Sequence, residues 1–464
     1  MLDIHLEMQV MFLIWVALVV LTIRRTLASG SVGLPMALLL AMSFLYGGCF
    51  VYAVPGYTHS RADGLPALAR YGFTEWDVVR GTFASLLGVL GFAIGAGAFQ
   101  LRWRRAPKQV YTRSCVYERN MIKILAGIGI AGFAIHYSEL SFPMSNALNE
   151  AGRSVAVAAI CLGVYLAHRD GKPTWKWIAL AALVPIYYLA IFGFLSYGFV
   201  FGIILASFWI AQIHKKSATS TIKLALLSIA TIYLILTAFV GWMTFRDEIR
   251  LIVWGGGSGS VGDTLLLAIS KTELFSPWNF SALDQVNLRL NLPLFIGRMI
   301  EQHELNPSLQ LFGESILIIP LVVLPRFMWP GKPTRGGSDF METHTGIPLS
   351  DSATFGTGST FEFYVNFGYV GVFLLFIVMG WIIRRLDLSA ARALQSGDLF
   401  RFARLFVVGV IVIDPLLRPF FIVNGAIFAW ILMTGVKYGF GQYLQLRPIR
   451  MRPIGHRKLA RKRS

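Results

Sequence analysis

The sequence predicts an all-α polytopic membrane protein, with about eleven transmembrane helices (10–12) and one large, partly helical loop outside the bilayer. Three observations predict it. Of 464 residues, 55% are hydrophobic and only 14% are charged, whereas soluble domains carry about 25% charged residues. The mean hydropathy is +0.62. Apolar runs approaching the roughly 20 residues that cross a bilayer recur along the chain, and the cations between them fall in alternate loops.

The expected spans are 8–23, 34–54, 82–101, 121–137, 154–168, 176–194, 197–213, 222–243, 363–383, 403–421 and 424–441. The chain opens MLDIHLEM, with acids where a secretory signal has a basic n-region, so the first run reads as a retained span. Orientation follows from the short loops. Arg24 and Arg25 follow the first span, RWRRAPKQVYTRSCVYER (102–119) the third, HRDGKPTWK (168–176) the fifth, HKK the seventh and RR (384–385) the ninth. The tail RPIRMRPIGHRKLARKRS holds eight Lys or Arg and no acid. The alternate loop 55–80 balances Arg61, Arg70 and Arg80 against Asp63, Glu75 and Asp77. By the positive-inside rule the basic loops are cytoplasmic. The N-terminus is then outside and the C-terminus cytoplasmic, in an inner-membrane-type arrangement. The net charge of +18 is this bias, and not a nucleic-acid footprint. Cys49, Cys115 and Cys161 form no disulfide framework.

Four regions result: 1–243, eight spans; 244–361, a large periplasmic loop; 362–441, three C-terminal spans; and 442–464, a basic cytoplasmic tail. The loop is about 118 residues with eight Lys or Arg and eleven Asp or Glu. Its length exempts it from the charge rule, and long loops tend to be functional. Apolar periodicity predicts helices over 264–275 and 280–302. GGGSGSVGD (255–263) lacks the lysine of a P-loop and reads as a hinge. The apolar run before Leu324 is too short to cross, so a re-entrant or interfacial segment is expected near 315–330. LPRFMWPGKP (324–333) then lies at headgroup depth. Its prolines stiffen the turn, Trp329 suits the interface, and Arg326 and Lys332 meet anionic headgroups. Downstream, 343–372 is rich in Gly, Ser and Thr and contains His344, with Asp339 and Glu342 just before it. In IDPLLRPFF (413–421), Asp414 and Arg418 are four apart, a spacing that shares one face of a helix. Ionisable residues inside a span default to a functional hypothesis.

The order of an apolar run, LPRFMWPGKP, a Gly/Ser/Thr-rich stretch and FEFYVNFGYVGVFLLFIVMGW (361–381) resembles the repeat-unit polysaccharide polymerases of the O-antigen and enterobacterial-common-antigen type, as does FSPWNF (275–280). The resemblance is specific over about 240–385 and architectural before that. Where that family often has an arginine–glycine pair in the middle spans, this chain reads FLSYGFVFG (194–202), with Tyr197.

The resemblance implies a glycosyltransferase-C-like enzyme. It would polymerise lipid-linked oligosaccharide repeat units at the outer face of the inner membrane, for O-antigen, capsule or exopolysaccharide. The glycan moves from polyprenyl diphosphate to an acceptor sugar hydroxyl, without metal, nucleotide sugar or other cofactor. Membrane lipid is its surroundings, and a flippase and a chain-length regulator are its expected partners. Arginine forks suit the diphosphate and stabilise charge on the leaving group. Arg326, Lys332, Arg335 and Arg418 are the first candidates, with Arg246, Arg250, Arg289 and Arg298 behind them. The acceptor hydroxyl needs a base or at least orientation. His344, Glu342 and Asp339 are the local choices, with His303 and Glu304 further off. Trp278, Trp329 and Tyr364 offer faces for sugars. No HExxH, CxxC or Walker motif is present. The rival activities are an O-antigen ligase, a lipid-linked oligosaccharide flippase and an assembly subunit. The absence of internal repeats and the single large loop argue against a transporter.

Overall fold

The computed structural model describes residues 3–100, 115–137, 145–192, 195–213, 218–253, 260–271, 274–324, 328–333, 337–349 and 356–441. Every regular element among them is helical. In chain order, α1 (Ile4–Ser29) and α2 (Leu34–Tyr46) are joined at Gly30 and Gly33, both in the left-handed region. A 3-10 turn (Gly47–Ala53) extends α2, α3 (Pro66–Arg70) is short, and α4 (Glu75–Gly95) starts from a capping box between Thr74 and Asp77. There follow α5 (Cys115–Tyr137), α6 (Ser145–Arg169), α7 (Trp175–Phe192), α8 (Leu195–Ile213) and the long α9 (Ala218–Val253). The hydrophilic region supplies α10 (Val261–Lys271), α11 (Phe280–Leu290), α12 (Leu292–Leu305), α13 (Glu314–Leu317) and α14 (Ser338–Thr345). The chain closes with α15 (Gly358–Gln395), α16 (Leu399–Val412) and α17 (Pro419–Phe440).

Among the described residues, six helices are long and apolar enough to cross a bilayer: Ile4–Ser29, Leu34–Ala53, Glu75–Gly95, Ala147–Arg169, Gly358–Gln395 and Pro419–Phe440. The other five expected spans also fall on helices, α5, α7, α8, α9 and α16. Three breaks were not in the sequence reading, and several ends differ as well, α4 running Glu75–Gly95 where 82–101 was expected. The single helix expected over 280–302 is two, because Asn291 leaves helical geometry and its side chain caps Leu294 N at 3.1 Å, with Pro293 in the new first turn. The span expected over 403–421 stops at Val412, since Pro415 and Pro419 cannot continue it. The span expected over 363–383 is kinked at Gly368, whose φ of 64° and ψ of −158° only glycine adopts readily.

Backbone contact through glycine holds the centre together. A Cβ on Gly91 would stand 2.3 Å from Phe373 O, one on Gly95 2.0 Å from Ile377 O, and one on Gly380 2.5 Å from Phe92 O. Thus α4 and α15 pack at the distance small residues permit between membrane helices. The hydrophilic region is bound to this pair rather than free of it. A Cβ on Gly297 of α12 would lie 1.6 Å from Asp77 O on α4, and one on Gly81 1.8 Å from Pro293 O. A buried polar network fixes α11 as well. Asp284 pairs with Arg61 and accepts from Tyr57 Oη at 2.8 Å, and Asn287 Nδ2 donates to Tyr52 Oη and Tyr57 Oη at 3.0 and 3.1 Å. Tyr52 Oη also meets His59 Nδ1 at 2.7 Å. Burial pushes the Tyr57 phenol well above its ordinary range, with the neighbouring Asp284 adding to the shift.

Candidate functional site

The sequence candidates converge at the start of α15. Glu362 there is fully buried. Its Oε1 accepts from Ser315 Oγ at 2.7 Å and its Oε2 from Arg418 Nε at 2.6 Å. Asn366, one turn on, donates to Ser315 Oγ at 2.8 Å and to Glu362 O at 2.7 Å. The carboxylate is therefore paired and hydrogen-bonded, as a buried charge must be. The bond to Glu362 uses Nε, which leaves the two terminal guanidinium nitrogens of Arg418 for a further acceptor. The guanidinium lies over Phe340, 3.7 Å from the ring centroid.

Arg418 thus reaches α15 and not Asp414. Residues 413–418 are not helical, so the two do not share a helix face as the spacing suggested. Asp414 Oδ1 instead accepts from Leu416 N at 3.0 Å, a local turn bond. The turn is tied to α15 by Gly358 N to Leu416 O at 3.1 Å and Ser359 Oγ to Leu417 O at 3.3 Å.

Phe340 stands between Arg418 and His344, with its ring centroid 4.6 Å from the imidazole. His344 is 3% exposed and His303 is 6% exposed, and His344 Nδ1 lies 3.0 Å from His303 Nε2. The protons on this pair follow from its neighbours. Gln310 Nε2 donates to Tyr364 O at 3.2 Å, which turns Gln310 Oε1 toward His303 Nδ1 at 3.3 Å. An amide oxygen only accepts, so His303 carries its proton on Nδ1 and has its lone pair on Nε2. His344 then donates from Nδ1, and its Nε2 carries the lone pair. Burial, then His303, then Arg418 push His344 down to about 4, so the ring is neutral near pH 7. Burial also lowers His303, against the opposing bond to Gln310.

The turn at 328–333 packs on Phe420, which lies two residues beyond Arg418 in the chain. Trp329 meets that ring edge-on at 6.0 Å, and Lys332 Nζ lies 5.9 Å from its centroid. Lys332 also donates to Val322 O at 2.7 Å and Leu324 O at 3.1 Å, the last carbonyls of a 3-10 turn over Ile319–Val323. It therefore clamps the short apolar run expected to be re-entrant near 315–330, whose described residues hold α13 and this turn and no crossing helix. Arg326 and Arg335 lie outside the described residues, as does the side chain of Arg250.

The remaining candidates separate from the cluster. Asp339 and Glu342 are exposed on α14, while Met341, His344 and Thr345 make its buried face, so neither acid shares the imidazole's side. Arg298 pairs with Glu301, which with Glu304 also meets Arg80. Arg246 bonds its neighbour Asp247 through Nε at 2.7 Å. Arg289 is on the exposed side of α11. Trp278 is 75% exposed and keeps an open face, whereas Tyr364 is 7% exposed and has none to offer. Glu362 was not among the sequence candidates. Its signal was present in FEFYVNF, a carboxylate entering an apolar span with an amide four residues later.

Comparison of the chain with family models, with curated proteins and with solved structures found no match.

Proposed function

We propose that the chain transfers glycan from a polyprenyl diphosphate to a hydroxyl of a second lipid-linked repeat unit, at the outer membrane face where α15 begins. The single observation that carries this reading is that Arg418 and His344 both pack on Phe340, while Lys332 and Trp329 pack on Phe420, two residues after Arg418 in the chain. They come from three separate segments, of which the sequence reading had given Arg418 and Lys332 to the diphosphate, Trp329 to a sugar face and His344 to the acceptor hydroxyl. In the proposed reaction the acceptor oxygen attacks the anomeric carbon, and the bond from that carbon to the diphosphate oxygen breaks with its electron pair on the diphosphate. The terminal nitrogens of Arg418 receive that charge, with Arg326 and Arg335 as further cations by their position in the sequence. His344 Nε2 accepts the hydrogen bond of the attacking hydroxyl, orients it, and takes its proton as the new bond forms. An anion bound beside His344 favours its protonated form, so substrate binding moves this imidazole toward a useful basicity.

Gel analysis of surface polysaccharide in a host deleted for the gene tests the reading. Complementation with wild type restores a ladder. Complementation with Arg418→Met or Arg326→Ala leaves single repeat units on lipid while the protein still inserts. Full-length polymer retained on its polyprenyl carrier would instead mean a ligase, and repeat units accumulating at the cytoplasmic face would mean a transporter.

A further inference from the structure

The opposite end of α15 holds a second basic cluster, beginning at Arg384, 22 residues beyond Glu362 and past the kink at Gly368. A cavity of about 220 Å3 opens there, lined by Trp381, Arg384, Arg385, Ser389, Arg392 and Gln100, with no carboxylate among the lining residues. Arg385 and Arg392 are exposed and screened by water, and with Arg384 they turn donors toward one small space that an anion could share. The fold accounts for one of them. Helix α4 ends at Gly95, the chain turns at Gly97 with φ of 71°, and Arg384 Nη1 donates to Ala96 O at 2.6 Å, so this cation caps the helix C-terminus. Asp387, the nearest acid on α15, is 1% exposed, and its Oδ1 accepts from Val32 N and Leu34 N at 3.1 and 3.0 Å. It is committed to the α1–α2 turn. Arg385 lies 5.1 Å from the Trp381 ring centroid, and neither it nor Arg392 has a carboxylate partner among the described residues. The chain leaves Gln100 into LRWRRAPKQVYTRS, which contains no acid.

We propose that this cavity is a phosphate site, filled by the phosphodiester of an anionic phospholipid from the leaflet at that end. Arginine forks match phosphate oxygens in pairs. Ser389 and Gln100 add neutral hydrogen-bonding groups, and Trp381 is the indole expected at headgroup depth. A cavity of this size holds about seven waters' worth of volume, enough for a phosphate and its ester oxygens but not for acyl chains, which would run outside along α15. The proposal does not depend on the glycan-transfer reading.

The test uses the full-length protein in neutral detergent and native mass spectrometry, titrated with short-chain phosphatidylglycerol, short-chain phosphatidylcholine and inorganic phosphate. Wild type should bind phosphatidylglycerol on the order of 10-fold more tightly than phosphatidylcholine. Arg385→Gln with Arg392→Gln should remove that preference, and so should Ser389→Trp, which fills the cavity without changing charge. Arg401→Gln with Lys437→Gln removes two exposed charges at the same end and outside the cavity, and should leave the preference intact. Competition by millimolar inorganic phosphate at the same residues, without a preference for phosphatidylglycerol, would keep the phosphate chemistry and overturn the lipid source. Equal binding of the two lipids with no phosphate binding, or an equal loss in the charge-matched control, would overturn the site.

Discussion

Replacing Arg418 by Met tests whether the pair with Glu362 is a buried electrostatic unit. The substitution keeps an apolar stem over Phe340 and removes the charge. Glu362 is 0% exposed and Arg418 12%, so the carboxylate would remain buried with Ser315 as its side-chain donor. Breaking a buried pair in this way costs about 3–5 kcal/mol. Glu362→Gln leaves an oxygen that still accepts from Arg418 Nε, and should cost less, about 1.5–3 kcal/mol. In the double variant no charge is stranded, so its cost should fall below the sum of the singles by at least about 1 kcal/mol. Unfolding by titration with sodium dodecyl sulfate in mixed micelles gives the three values, because large membrane proteins seldom unfold reversibly on heating. If Arg418→Met cost under about 1 kcal/mol, or if the singles added to within about 0.5 kcal/mol, the pair would be no unit and the reasoning would fail.

Three further outcomes follow from the same geometry. His344 is lowered to about 4 in the folded chain and is near 6.5 when unfolded, so between those values the unfolded state binds more protons. Stability should rise with pH across that window by an amount on the order of 3 kcal/mol, and His344→Phe should flatten the rise; an unchanged profile in the variant would contradict the assignment. Gly297→Ala places a methyl 1.6 Å from Asp77 O, and should cost more than the roughly 1–3 kcal/mol of ordinary overpacking. Gly435→Ala meets nothing within 4 Å on α17 and should be neutral or stabilising, a contrast readable from the yield of monodisperse protein. Asp284→Asn removes the charge that pairs with Arg61, and should loosen α11, seen as faster hydrogen exchange over 280–290; exchange equal to wild type would mean that Tyr57 and Asn287 hold α11 without it.

The helices were legible because apolar length is a property of consecutive residues, and each expected span overlaps one, though that over 403–421 outruns its helix by nine residues. The breaks were less so. Asn291 reads as an ordinary polar residue until its side chain is seen capping Leu294 N, and Gly368 sits in an apolar run with nothing local to announce a kink. The cluster was legible in part. Arg418, Lys332, Trp329 and His344 were found because cations, a tryptophan and an imidazole near proline-rich turns are conspicuous. Their partners were not, since packing brings Glu362 to Arg418 across 56 residues, Ser315 to Glu362 across 47 and His303 to His344 across 41. Spacing misled at Asp414 and Arg418, where four residues mean one face only if the backbone stays helical, and two prolines prevent it. The same holds for Asp339 and Glu342, close to His344 in sequence and on the other side of its helix.

The glycan-transfer reading is tested most directly with purified protein reconstituted in liposomes and supplied with a synthetic polyprenyl-diphosphate-linked repeat unit, with products resolved by length and the freed lipid diphosphate counted. The account predicts a ladder of two and more units, one polyprenyl diphosphate released per bond formed, activity that persists with a chelator present, and loss of the ladder in Arg418→Met protein that remains folded. Recovery of intact substrate from folded wild-type protein, or an equal ladder from the variant, would contradict it.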